Sequence, residues 1–213
     1  GIVHQVNIER LARTVMVRTR LGSVAAEPVV TKQYDDGSLY QGTFRAGRQH
    51  GQGSYKLPNG YEYSGAWVEG RIEGEGRAKF PDGSVYEGDF KDGKNDGFGR
   101  MTMPDGYTYE GGWVAGQRQG DGSAIYPDGS NYVGNFVDGV RAGAGTLTMK
   151  DGVVFQGNWQ NGLLEGPGKA TYANGDVYEG NFVAGQRQGQ AVGAGDAEQQ
   201  PQQAHRGPRL LAR

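Results

Sequence analysis

Tyr86-Glu87-Gly88-Asp89-Phe90-Lys91-Asp92-Gly93-Lys94-Asn95-Asp96-Gly97-Phe98-Gly99-Arg100-Met101-Thr102-Met103-Pro104-Asp105-Gly106-Tyr107-Thr108 is one full period of a pattern that runs through most of the chain. Its opening, Tyr86-Glu87-Gly88-Asp89-Phe90, recurs upstream as Tyr40-Gln41-Gly42-Thr43-Phe44 and Tyr63-Ser64-Gly65-Ala66-Trp67. Downstream it returns as Tyr109-Glu110-Gly111-Gly112-Trp113, Tyr132-Val133-Gly134-Asn135-Phe136, Phe155-Gln156-Gly157-Asn158-Trp159 and Tyr178-Glu179-Gly180-Asn181-Phe182, always 23 residues after the last. A Gly-x-Gly follows in the first six units, from Gly51-Gln52-Gly53 to Gly166-Pro167-Gly168. A fixed period of this length is the signature of a repeat architecture, in which each unit cannot bury its own apolar face alone.

Two turn signals divide each unit. Pro81-Asp82-Gly83, Pro104-Asp105-Gly106 and Pro127-Asp128-Gly129 read as type I turns, with proline setting the first central φ and glycine taking the left-handed position of a bulged hairpin. Lys91-Asp92-Gly93 and Val137-Asp138-Gly139 are assigned the same chemistry at the other end. Each unit is therefore two antiparallel strands. Strand alternation places Tyr86, Gly88, Phe90, Gly97, Gly99, Met101 and Met103 on one face, with polar residues on the other. Rings from neighbouring strands are expected to lie over bare glycine backbone, which accounts for glycine inside strands despite its entropic cost.

Those residues resemble the MORN (membrane occupation and recognition nexus) repeat over about residues 34–189. The resemblance implies an elongated, twisted, single antiparallel sheet without activity of its own, and roles in lipid binding, protein binding or self-association. The expected fold is thus all-β: an elongated single-layer antiparallel β-hairpin meander of about thirteen strands, open at both ends. Residues 28–190 form the array, with six full repeats at 40–177 and partial repeats at each end. Residues 1–27 are expected to be an N-terminal segment, a short amphipathic helix or partly disordered, and residues 191–213 a disordered tail.

Composition limits the chemistry. Forty glycines without a Gly-x-y register exclude collagen, while 12 Tyr, 7 Phe and 3 Trp argue against simple disorder. With no cysteine there are no disulfides, thiolate metal sites or cysteine nucleophiles. No run approaches the roughly 18 apolar residues of a membrane-spanning helix. Val24-Ala25-Ala26 suits a signal-peptidase cut, but Arg13, Arg18 and Arg20 interrupt the apolar run that should precede it. The compartment stays open: cytoplasmic or membrane-peripheral, or periplasmic or secreted if a signal segment was removed. His4, His50 and His205 are the only imidazoles, and His50 occupies a slot shared with Glu73, Asp96 and Gln119. Asp82, Asp105, Asp128 and Asp151 read as turn residues, since their spacing matches neither an EF-hand loop nor a nonapeptide calcium repeat. Asp96-Gly97-Phe98 lacks the phosphate loop, lysine and catalytic loop that a kinase needs. No catalytic residue, metal or cofactor is expected.

Between Tyr40 and Gly189 there are 14 Lys/Arg and 18 Asp/Glu, so nucleic acid is not an expected partner. The expected partner is a protein or a second copy of the chain, bound at the strand edges near Val30 and Gln190 or on the aromatic face. A one-layer sheet should leave that face exposed, which makes Tyr63, Trp67, Tyr86, Phe90, Tyr109, Trp113, Tyr132, Phe136 and Trp159 candidate contacts, with the tryptophans as anchors. The alternative is an anionic membrane surface held by Arg10, Arg13, Arg18 and Arg20 together with Arg48, Arg71 and Lys94. Gln117, Val140, Leu163 and Gln186 stand at the later positions of the last three, so the basic ladder is not continuous.

Overall fold

The computed structural model describes residues 27–189, and the expected N-terminal helix and C-terminal tail lie outside them. The strands are β1 (Val30–Gln33), β2 (Leu39–Arg45), β3 (Arg48–Lys56), β4 (Glu62–Val68), β5 (Arg71–Lys79), β6 (Val85–Lys91), β7 (Lys94–Thr102), β8 (Thr108–Val114), β9 (Gln117–Ile125), β10 (Asn131–Val137), β11 (Val140–Thr148), β12 (Val154–Gln160), β13 (Leu163–Thr171), β14 (Val177–Val183) and β15 (Gln186–Arg187). They form one 15-stranded antiparallel sheet in strict sequence order. The partial units at the ends supply the strands beyond the expected thirteen: β1 pairs β2, and β15 pairs β14. At about 4.8 Å per strand the ribbon is about 65–70 Å long.

The two ends of each hairpin turn differently. At Phe80-Pro81-Asp82-Gly83 the glycine N–H donates to Phe80 O (2.9 Å) and Gly83 has φ 89°, the expected type I turn followed by a left-handed residue. At the other end Lys91 pairs directly with Lys94, leaving a two-residue loop in which Asp92 (φ 47°) and Gly93 (φ 75°) are both left-handed. This is a type I′ turn, not the type I turn assigned from sequence. Its twist matches the strands it joins, and Asp or Asn tolerates the first position because a short polar side chain suits that backbone.

The two glycines of Gly-x-Gly also do different work. Gly88 pairs Gly99 and Phe90 pairs Asn95, so Asp96, Gly97 and Phe98 oppose the single residue Asp89. Gly97 (φ 102°) turns this bulge, whereas Gly99 lies flat beneath a ring: a Cβ on it would stand 2.2 Å from the Tyr86 hydroxyl. The covering ring belongs to the same hairpin. Tyr86 reaches along its own strand over Gly88 and across to Gly99, and its hydroxyl donates to Asp89 O (2.9 Å). In the units that open with tyrosine the ring therefore folds down onto its own unit's glycine pair, whereas in the sixth, which opens with Phe155, the ring nearest Gly168 is Phe182 of the next unit.

Candidate functional site

The core of this one-layer protein is the row of rings itself. Tyr40 meets Trp67 edge-on (5.2 Å between centroids), Tyr63 meets Phe90 (5.1 Å), Tyr86 meets Trp113 (5.3 Å), Tyr109 meets Phe136 (5.0 Å) and Tyr132 meets Trp159 (5.4 Å). Within a unit the same tyrosine also packs on its own Trp or Phe, as Tyr86 does on Phe90 at 5.0 Å. Each indole N–H reaches the preceding unit: Trp67 donates to Gly53 O, Trp113 to Gly99 O and Trp159 to Gly145 O. Edge-to-face geometry and a satisfied indole donor are what buried aromatics require.

This corrects the expectation of an exposed aromatic face. Tyr63, Trp67, Tyr86, Phe90, Tyr109, Trp113, Tyr132, Phe136 and Trp159 are all buried, none more than 5% exposed. The error lay in treating a single layer as flat: rings laid down on glycine and wedged edge-on between neighbours shield one another without a second layer. Burial also raises the hydroxyls of Tyr63, Tyr86, Tyr109 and Tyr132 well above their ordinary range, and pushes Tyr61 and Tyr107 up to about 12.

A second row on this face was missed. Opposite the Trp or Phe of successive units stand Gln49, Ile72, Asn95, Arg118, Arg141, Leu164 and Arg187. Arg118 lies over the Tyr107 and Tyr109 rings, and donates to Gly139 O (2.7 Å) and to the Tyr107 hydroxyl. Arg141 is 2% exposed, with its guanidinium 4.5 Å from the Trp159 ring and flanked by Tyr126 and Tyr132. Its Nη2 donates to Gly162 O (2.6 Å), while Nε and Nη1 meet no acceptor with hydrogen-bond geometry among the described residues. Burial lowers its pKa, opposed by the nearby tyrosine hydroxyls. The sequence signal was the recurrence of arginine at 118, 141 and 187.

The remaining polar candidates are structural. Asp82 and Asp128 each accept from the backbone N–H two residues on, at Ser84 (2.9 Å) and Ser130 (2.8 Å), and Asp105 accepts from Tyr107 N (2.8 Å). Bonds from Ser84 hold the Asp82 carboxyl below its usual range. The His50 slot is a bracket between units: His50 Nδ1 faces Glu69 N, Glu73 accepts from Asp92 N, Asp96 from Ala115 N (3.0 Å) and Gln119 from Asp138 N (3.0 Å). Each thereby pins the left-handed residue of the next type I′ turn. No group of three or more His, Cys, Asp or Glu capable of holding a metal occurs among the described residues.

The basic candidates split. Arg48, Arg71 and Lys94 stand exposed at the type I′ edge, where Arg48 pairs Arg45 across the turn and Lys94 pairs Lys91. Arg71 is partly neutralised by Asp92 (3.4 Å) and Arg45 by Glu27 (3.6 Å). Arg10, Arg13, Arg18 and Arg20 lie outside the described residues.

Comparison with known structures contributes little. Catalytically inactive virginiamycin B lyase from Staphylococcus aureus, with quinupristin, is 11% identical over 75% of this chain and 58% of that one, at a TM-score of 0.19. A selenomethionine form of that lyase is 10% identical over 76% and 73%, again at 0.19. This chain spans 58% of the length of the first, and superposition so poor carries no argument about fold or function. The family comparison is decisive: the MORN repeat model matches residues 40–60, 63–85, 86–106, 109–131, 132–154, 155–177 and 178–192 in unbroken series, in register with the hairpins described above. The chain belongs to the MORN repeat family, as a tandem array of that repeat.

Proposed function

We propose that this ribbon is a non-enzymatic interaction scaffold that presents its outward face to a protein partner or to a second copy of itself. One observation carries the reading. The aromatic, histidine and aspartate side chains that suggest chemistry in the sequence are spent on ring packing, turns and unit-to-unit brackets, while the outward side chains of successive strands form one continuous exposed surface. Membership of a family of interaction repeats agrees with it.

The test is to immobilise the full chain, capture partners from cells that express it, and repeat the capture with glutamate introduced at one outward position per unit. The scaffold reading expects particular outward substitutions to release a partner while the melting temperature stays unchanged. Release that tracks only with unfolding, at every position, would overturn it.

A second reading is peripheral contact with an anionic membrane. The outward, exposed pairs Arg45/Arg48 and Lys91/Lys94 on a single edge of the ribbon favour it. Binding to anionic but not neutral liposomes, lost as salt rises, would support this reading because exposed charges are screened at higher ionic strength. No flotation with either vesicle at low salt would remove it.

A further inference from the structure

Along the outward face the charge pattern changes abruptly. One cross-strand row, uncharged at Gln41–Ser54–Ser64, runs on as Arg77–Glu87–Arg100–Glu110, each residue opposite the next and alternating in sign, with Arg77 and Glu87 paired at 3.2 Å. The same row then continues Ser123–Val133–Thr146–Gln156 without a charge, before resuming at Lys169–Glu179, paired at 2.7 Å. The row beside it reads Thr108–Ile125–Asn131–Thr148–Val154–Thr171. Every outward residue of β10, β11 and β12 is uncharged. Val133 in this zone is 55% exposed, and Ile125 beside it on β9 is 49% exposed. Alternation and burial both place these side chains away from the ring-covered face.

We infer that the outward face of β8–β13 is a homotypic interface, packed sheet against sheet on a second copy of this chain. This rests on the scaffold reading and names its partner. The argument is self-complementarity. A two-fold axis running parallel to the strands, between β10 and β11, sets β8 against β13 of the second copy, β9 against its β12 and β10 against its β11, keeping every row in line. Glu110 then faces Lys169 of the second copy, and Arg100 faces its Glu179. Thr108 meets Thr171, Ile125 meets Val154, Val114 meets Leu163, Gln117 meets Gln160 and Val137 meets Val140. Uncharged residues meet across the centre and opposite charges meet at both rims, as an isologous interface requires; the two other outward carboxylates of the six strands are held within their own sheet, Asp121 accepting from Asn135 (3.3 Å) and Glu165 from Ala184 N (2.7 Å). Aligned sheets pack face to face about 10 Å apart, a spacing that side chains of this size fill.

Area agrees. Six strands at about 4.8 Å, each contributing about seven residues at about 3.4 Å, give about 600–700 Å² per copy, hence about 1,200–1,400 Å² in total, within the range of specific interfaces.

The experiment is sedimentation of the full chain from micromolar concentration upward, with Val133→Glu, Glu110→Lys, Lys169→Glu and the double reversal Glu110→Lys/Lys169→Glu. The expected result is a dimer that Val133→Glu weakens at least about tenfold, that each single reversal weakens, and that the double reversal restores, all with unchanged melting temperature. A chain monomeric at every concentration would overturn this inference and leave the scaffold reading to partner capture. A dimer indifferent to all four variants would overturn it too, by placing the contact elsewhere. If Val133→Glu fails to fold, the loss and recovery across the reversals still decides.

Discussion

Replacing Gly99 with alanine should cost far more than the loss of a hydrogen atom suggests, and more than the same change at its counterpart Gly168. At Gly99 the new Cβ would stand 2.2 Å from the Tyr86 hydroxyl and 2.4 Å from Cζ, so the ring must lift. Tyr86 is fully buried, donates to Asp89 O and packs edge-on to Phe90 and Trp113, and lifting it disturbs all of these together. Full removal of a buried aromatic costs about 3–5 kcal/mol. Partial displacement with loss of a hydrogen bond, less about 0.5–1 kcal/mol that alanine returns over glycine in a strand, comes to about 2–4 kcal/mol. For a chain of this size that is a fall of roughly 5–15 °C in Tm. In the sixth unit Phe155 replaces the tyrosine and Leu164 fills the space by Gly157, so a Cβ on Gly168 meets nothing closer than 3.0 Å. Gly168→Ala should therefore cost about 1 kcal/mol or less. Urea unfolding of both variants reads the difference. Equal costs, or a Gly99→Ala cost under about 1 kcal/mol, would refute the account of glycine as the platform for its own unit's tyrosine.

Trp113→Phe should lose about 1 kcal/mol, since Phe90 and Phe136 show that the slot accepts phenylalanine and only the bond to Gly99 O is forfeited; a loss above about 3 kcal/mol in urea would show that the indole does more. Arg141→Leu should leave Tm unchanged or raise it, because Leu164 fills the equivalent position fully buried and a cation held by rings is exchanged for a close-fitting apolar group. Arg141→Ala should lower Tm by opening a cavity, and a larger fall for leucine than for alanine would contradict both expectations. Alkaline pH should unfold the ribbon cooperatively. Tyr63, Tyr86, Tyr109 and Tyr132 hold their protons above the ordinary value near 10, with Tyr61 and Tyr107 at about 12, so the unfolded chain releases protons first and stability falls as pH rises above about 10. Tyrosinate absorbance should rise together with loss of the near-ultraviolet circular dichroism, and ionisation completed with the fold intact would disprove it.

The period, the strand order and the pairing of ring with glycine were legible in the sequence because each depends on local spacing. What was not legible depends on three-dimensional detail that alternation leaves degenerate. Because the bulge at Gly97 adds two residues to β7, the inward parity of Asn95, Gly99 and Met101 is unaltered, so nothing in the alternating pattern marks Gly97 as different from Gly99. The type I′ turns could have been distinguished: Asp138-Gly139 and Asn161-Gly162, without a preceding proline, are the dipeptides that favour two left-handed residues. The burial of Trp67, Trp113 and Trp159 was misjudged from the layer count, yet it is what separates packing from recognition here. With these rings inside, the exposed surface is that of the outward rows, whose change from alternating charge to none is visible only once the register aligns Glu110 with Ser123 and Val133 with Thr146.

That register makes one last expectation severe. In a ribbon where each unit packs only on its neighbours, stability is close to a sum of unit and interface contributions, so removing a whole period should cost one of each. Deleting residues 63–85 brings Tyr86 where Tyr63 stood, sets Phe90 against Tyr40 in place of Trp67, and joins Glu62 to a strand of the same length. The indole bond to Gly53 O is lost and Met103 takes the place of Phe80 beside Tyr61, but every glycine pair and turn type keeps its kind. The product should fold with native-like circular dichroism, melt in one transition and lie only a few degrees lower in Tm. Deleting thirteen residues instead, from Tyr63 to Glu75, brings a long-strand sequence into a short-strand place, puts Gly76 where the unit's first tyrosine belongs and sets a type I turn where type I′ is needed. It should leave the first units unfolded. Equal tolerance of the two deletions would mean that the 23-residue register is not what holds the rings over their glycines.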